Sequence, residues 1–202
     1  HVLDGDVAGH ALLLVGDTVA RARLGSALRS VDASRRLFRV TAGEQVTTLP
    51  EGTAGDAVDM ATLACSAQLL GAGERLLTAA VDYAKSRRQF GRVIGEYQAV
   101  KHALADVKVG LDFARPLVYG AAVAMTGGTT AAREVSAAKV ACSVAADRAA
   151  RTALQVHGAI GYTAEYDLGL WITKVRALVG AWGDPSHHRG RVLASLTAER
   201  AS

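Results

Sequence analysis

A mainly α protein, an antiparallel helical bundle preceded by a partial β domain, is what this sequence predicts, and three observations carry the prediction. Half of the 202 residues are apolar and only three are proline, a composition that favours helices. From about Ala57 onward, apolar residues recur at helical spacing through long stretches rich in alanine and leucine. Residues 1–55 instead set short apolar runs between "DGD", "GD" and "EGTAGD", the punctuation of strands joined by turns. The expected division is therefore residues 1–55 as the partial β domain and residues 56–202 as the bundle.

In order along the chain, "ALLLVG", "RLFRVTA" and "EQVTTLP" are the expected strands. The opening "HVLDGDVAGH" reads as the interior of a strand-rich region, so a longer or trimmed parent chain is expected. The first helix is predicted from about Ala57 to Gln89 with Asp56 as its N-cap, and Gly71 and Gly73 within it permit close helix contact. A second runs from Gly95 or Glu96 to Met125 with a kink at Pro116, which removes a backbone donor in mid-helix. "TGGTT" ends it. A third is predicted from Thr130 to His157, stopped by "GAIG", a fourth from Ala164 to Val179, and a fifth after Pro185. Long helices with short connections make an antiparallel bundle.

Composition also excludes function classes. The formal charge of +4 is modest and the arginines are scattered, which gives no footprint for nucleic acid. Apolar runs such as "ALLLV" and "AAVAM" fall far short of the roughly 20 residues needed to cross a bilayer, and no signal peptide is evident. Cys65 and Cys142 lie in helical surroundings without the spacing of a disulfide framework or a metal site, which suits a cytoplasmic protein.

Two junctions between helices are dense in polar and small residues. In the first, Arg87, Arg88 and Gln89 are expected at a helix C-terminus with Phe90 and Gly91 forming the turn. Guanidinium groups grip phosphates and Phe90 could pack on a flat ring, but arginine in a last turn followed by glycine is also an ordinary helix stop. In the second, Gln155 and His157 precede Gly158, Ala159 and Gly161, small residues that would let a ligand approach the backbone. A helix ending at Gly158 accounts for that stretch equally well. Both readings of each junction stay open at this level.

Taken together the two junctions resemble one family. Tyr83, Arg87, Phe90–Gly91, Ile94, Gln98 and the run Leu104, Ala105, Asp106 are similar to one signature of the acyl-CoA dehydrogenases. Gln155, Gly158, Gly161, Tyr162, Glu165 and Tyr166 resemble their second, with Ala159 where a second glycine is usual. The resemblance covers residues 56–202 well and residues 1–55 more weakly. It implies an FAD-dependent oxidation of an acyl-CoA thioester, fatty or steroid side-chain, in a dimer or tetramer, with electron-transferring flavoprotein as acceptor. It also implies that Arg87, Gln89, Phe90 and Gln98 meet the adenine-dinucleotide part of FAD across a subunit interface, together with Gln155, His157, Gly158 and Ala159.

The resemblance departs from the family at the catalytic base. The glutamate that removes the substrate α proton falls, by ungapped count, on Trp182, and the alternative position on the first bundle helix falls on Ala61. Asp59 and Asp184 are the remaining carboxylates to consider, although helix geometry turns Asp59 about 200° from Ala61. A chain that keeps the flavin residues and lacks both glutamates suits a subunit whose partner supplies the base. The other reading is a non-catalytic helical interaction subunit that has lost FAD. His187 and His188, beside Arg189, are expected on a solvated surface rather than as base or metal ligands, because adjacent helical residues diverge.

Overall fold

The computed structural model describes residues 1–127, 131–163 and 166–201. Two compact units are distinguished, His1–Val58 and Asp59–Ser202.

In the first unit four antiparallel strands, β1 (Val2–Leu3), β2 (Leu12–Val15), β3 (Thr18–Leu28) and β4 (Leu37–Thr48), form a sheet in the order β1-β4-β3-β2. Thr18 faces Val15 across the β2–β3 hairpin, and Gly16 takes φ +58° in its turn, a conformation that costs glycine nothing. Two expectations are corrected here. "RLFRVTA" and "EQVTTLP" contribute to the single strand β4, because Gly43 between them keeps an extended backbone against β3. The longest pairing partner, β3, was not foreseen: its alternation is broken by arginines and glycine, and register shifts at Val19–Ala22 and Leu24–Ala27 bend it.

Helix α1 (Thr53–Ser86) begins in the first unit and continues through the second. It starts before the expected Ala57, so Asp56 lies inside the first turn, where its carboxylate still suits the helix dipole. It also stops before Arg87. In the second unit α1 is followed by α2 (Gln98–Ala124), α3 (Ala131–His157), α4 (Leu168–Gly180) and α5 (Pro185–Ala201). Helix α2 runs through Pro116, whose missing donor falls on an exposed side of the helix. The expected starts of α3 at Thr130 and α4 at Ala164 lie outside the described residues, and α4 itself begins only at Leu168.

The core of this unit is built from small residues. Ala138, Ala145, Ala146, Ala149, Ala150 and Ala153 line the buried side of α3, and small side chains let helix axes approach closely. Gly73 sits where α1, α2 and α3 converge: a Cβ there would lie 2.7 Å from Leu111 Cδ2 and 3.3 Å from Ala146 Cα. Gly71 meets nothing, so only one of the two glycines serves helix contact. Among the described residues no helix is long and apolar enough to cross a membrane.

Candidate functional site

The first junction is a hairpin rather than a helix end. After α1 stops, β5 (Arg88–Gln89) pairs with β6 (Arg92–Val93), with Gln89 opposite Arg92. Phe90 and Gly91 connect them with φ +51° and +81°, positive angles at both central residues, which match the twist of a two-residue hairpin. Glycine takes such an angle freely, but a bulky L-residue does so at a cost of about 1–2 kcal/mol. At this turn Phe90 is 89% exposed. Tyr97 closes the hairpin base: its hydroxyl donates to the Gln89 carbonyl at 3.3 Å, and the Arg92 guanidinium lies 4.3 Å from its ring centroid. Gly95 is required here, since a Cβ would come within 2.9 Å of the Ala84 carbonyl oxygen.

Between this hairpin and helices α2 and α3 lies a concavity of about 730 Å³, lined by Gln89, Phe90, Tyr97, Val100, Arg151 and Gln155 among others. Three residues expected from sequence, Gln89, Phe90 and Gln155, are thus brought together. Arg87 and Gln98 are exposed and do not line it. Tyr97 and Arg151 were missed by sequence reasoning. The only signal for Arg151 is its position one helical turn before Gln155 on α3.

The second junction is a short 3₁₀ turn, Gly158–Tyr162. Gly158 needs its glycine, with φ +64°, whereas Ala159 has no positive φ and fits without strain. His157 is buried at 4% exposure, stacked on Tyr83 with ring centroids 4.3 Å apart and tilted against Tyr166 at 5.1 Å. Its Nδ1 is 2.7 Å from the Ala153 carbonyl, which can only accept, so Nδ1 donates, and the buried Nε2 has no hydrogen-bond partner among the described residues. His157, Gly158 and Ala159 do not line the concavity. Glu165 of the second signature lies outside the described residues.

A separate cluster surrounds the turn from α4 to α5. Trp182 has φ +57° and Gly183 φ +97°, and Trp182 is 52% exposed. Beneath them Lys139, with no exposed surface, donates from Nζ to the carbonyls of Leu178 (3.2 Å), Val179 (3.0 Å) and Gly183 (3.2 Å). The carbonyl ends of a helix lack partners, and the ammonium serves two of those of α4 and one in the turn that follows. Burial pushes the Lys139 pKa down and lifts that of the neighbouring Cys142 to about 12. Cys65 donates its thiol to the Leu178 carbonyl at 3.4 Å.

His188 corrects the expectation of a solvated pair. It is 1% exposed, while His187 is exposed. His188 Nε2 lies 2.9 Å from the Trp182 carbonyl and Nδ1 3.2 Å from Ser136 Oγ. The carbonyl fixes the proton on Nε2, and Nδ1 accepts from the serine. Burial holds its pKa below the ordinary histidine value, against an opposing pull from the Trp182 carbonyl.

The carboxylates considered from sequence are both engaged. Asp59, 5% exposed, receives Arg191 Nη1 at 2.7 Å and Nη2 at 3.1 Å, a two-point ion pair joining α1 to α5. Asp184 Oδ1 accepts from the His187 backbone N–H at 2.8 Å, the geometry of an N-cap before Pro185. That N–H is the main cause holding its carboxyl below the usual range.

The sequence and the topology of the bundle both match known proteins. The C-terminal domain model of acyl-CoA dehydrogenases matches residues 51–196. Acyl-CoA dehydrogenase IpdE2 of Mycobacterium tuberculosis is 36% identical over 177 residues, covering 86% of this chain and 53% of the relative. IpdE2 of Mycolicibacterium smegmatis is 33% identical over 197 residues, 96% of this chain and 61% of the relative. The butyryl-CoA dehydrogenase structure from Megasphaera elsdenii superposes with a TM-score of 0.85 over 96% of this chain and 58% of that one, at 21% identity, a likeness of fold. The chain belongs to the acyl-CoA dehydrogenase family through this C-terminal domain. It spans between about half and three fifths of the length of these relatives.

Proposed function

We propose that the chain is a subunit of an FAD-dependent acyl-CoA dehydrogenase that contributes a flavin cradle and relies on a partner subunit for the catalytic base. The observation that carries this reading is a contrast. Gln89, Phe90 and Gln155 gather at one concavity, whereas the positions of both usual glutamates hold Trp182 and Ala61.

The residues present fit the adenine-dinucleotide arm of the cofactor. Phe90 offers an exposed flat ring, Gln89 and Gln155 offer amide donors and acceptors, and Arg87 offers charge toward phosphate. Gln98, His157, Gly158 and Ala159 complete the proposed set, His157 by holding the turn on which Gly158 and Ala159 stand. Bound flavin supplies the acceptor for the substrate β hydride. The chain's own part is to bind and orient that group and to exclude water around it. Asp59 is locked by Arg191 and Asp184 by the α5 N-terminus, so neither is placed to take the α proton.

An oligomer with family subunits is supported by α2, where Val109, Phe113, Leu117 and Val123 project from one side into solvent. Electron-transferring flavoprotein is the proposed acceptor, in the cytoplasm, and an acyl-CoA thioester of the fatty or steroid side-chain class is the proposed substrate.

The test is the visible flavin spectrum of the full-length protein, alone and co-expressed with homologous partners, before and after anaerobic addition of acyl-CoA thioesters. Flavin that bleaches only in the assembly is expected. Bleaching by this chain alone would overturn the shared site, and absence of flavin in every assembly would leave an interaction subunit. Asp59→Asn and Asp184→Asn should each leave turnover of the assembly intact. Loss of the flavin reduction step in either would restore that carboxylate as the base.

A further inference from the structure

We infer that Arg151 is a phosphate-binding residue of the concavity between the hairpin and helices α2 and α3, and that what it holds there is the diphosphate of an adenine dinucleotide. The inference rests on reading the chain as a flavoprotein subunit, and it gives the cradle a cation that neither signature marks.

The chemistry of the concavity is unevenly distributed. Its α2 wall is apolar at Val100 and Ala103, and its hairpin end carries the rings of Phe90 and Tyr97. The α3 wall is polar, with Arg151 and Gln155. Among the described residues that line it, Arg151 is the one charged side chain, and no carboxylate joins it. Apolar surface and rings at one end, with an uncompensated cation at the side, select a flat group that carries negative charge. The Arg92 guanidinium already lies over the Tyr97 ring at 4.3 Å, whereas Phe90 is 89% exposed and available to stack on a base.

Arg151 is prepared for an anion on its own helix. Its Nε donates to Asp147 Oδ2 at 2.7 Å, one turn earlier on α3. That bond engages the stem side of the guanidinium and leaves the N–H donors of both terminal nitrogens without a partner among the described residues. The side chain is 77% exposed, so a phosphate meets it without breaking the ion pair. Asp147 itself does not line the concavity. Gln155 follows one turn later in the same row of α3, which turns an amide and a cation toward one space. Arg87, the cation of the first signature, lies outside the lining. FAD and coenzyme A both contain adenosine diphosphate, and the company of Gln89, Phe90 and Gln155 assigns Arg151 to FAD.

The experiment uses the assembled full-length protein stripped of flavin. FAD binding is read from the quenching of flavin fluorescence, and ADP, adenosine and coenzyme A are used as competitors. Arg151→Met should weaken FAD and ADP by about tenfold, the effect of one charge-assisted contact, and leave adenosine unchanged. Arg151→Lys should fall between, since an ammonium keeps the charge and loses the planar fork. Arg148→Met removes the same charge from a side chain that pairs with Asp106 and does not line the concavity, and should match the wild type. Unchanged FAD and ADP affinity in Arg151→Met overturns the inference and leaves the flavoprotein reading standing. An equal loss for ADP and adenosine also overturns it, because the residue would then shape the pocket rather than hold phosphate. Weakened coenzyme A with FAD binding intact overturns it too, by assigning Arg151 to the thioester. If no assembly takes up flavin, the flavoprotein reading fails. Calorimetric titration with ADP and adenosine then decides Arg151 by itself: a preference for ADP that disappears in Arg151→Met upholds the phosphate contact, and no preference overturns it.

Discussion

The hairpin at Phe90 and the turn at Trp182 use one local device with opposite support. Each places a large aromatic residue at positive φ and follows it with a glycine at positive φ: +51° and +81° at Phe90–Gly91, +57° and +97° at Trp182–Gly183. The first stands on a short exposed ladder and the Tyr97 hydroxyl. The second is held from inside by a buried ammonium and a buried imidazole. The same strain is therefore cheap to release at the hairpin and expensive at the turn. A compliant support suits a ring that adjusts to a ligand completed by another chain, and a rigid one suits a surface of fixed shape.

The largest effect should come from removing the internal support. Lys139→Ala removes the side-chain donor shared by the Val179 and Gly183 carbonyls and opens a cavity, and should destabilise the second unit by about 3–5 kcal/mol. Thermal or urea unfolding measures it, and a loss below about 1 kcal/mol would mean that water replaces the ammonium and that the two supports differ little. Next, Phe90→Ala should leave the melting temperature nearly unchanged, because the ring is exposed. It should weaken flavin retention by the assembly by about 1–3 kcal/mol, the range for ring stacking, read as flavin content after dilution. Marked unfolding of this variant would show that the hairpin is a structural element.

His188 gives a pH test confined to the turn. Its folded-state pKa lies below the ordinary value, mainly through burial. On acidification the unfolded chain therefore takes up the proton first. Stability is fully present above about pH 6.5 and is lost as pH falls through the folded pKa. The melting temperature should drop as the pH is taken below about 6.5, and His188→Gln should flatten the drop. The smallest effect is expected for Asp184→Ala, which removes the α5 cap and should lower the melting temperature slightly. Asp184→Asn should restore most of that, by the same unfolding measurement.

Much of the bundle was legible because helical periodicity and local punctuation carry it. Pro185 opens α5, and Phe90–Gly91 forms the turn the sequence suggested. The misses have a common cause. Asp56 is not a cap, α1 ends before Arg87, and β3 went unseen, since each depends on neighbours that a short window does not contain. Lys139 shows the point well. It stands in register with Val135, Cys142 and Ala146 on the buried side of α3, which hinted at burial. Only the fold reveals the carbonyls that make burial tolerable, from residues Leu178 to Gly183. His188 was assigned to solvent for the same reason: its acceptor, the Trp182 carbonyl, and its donor, the Ser136 hydroxyl, come from another turn and another helix. At the candidate site, the signatures located Gln89, Phe90 and Gln155, while Tyr97 and Arg151 emerged only from the shape of the concavity.

Both cysteines are buried at the seam of α1, α3 and α4, and the thiol of Cys142 is pushed up to about 12. At neutral pH essentially none of it is thiolate, the form that reacts. Alkylation of the native protein must then wait for the seam to open. The unaltered sequence thus carries its own clock for local opening, in which the labelling rate of Cys142 reports how often the helices beneath the Trp182 turn part company.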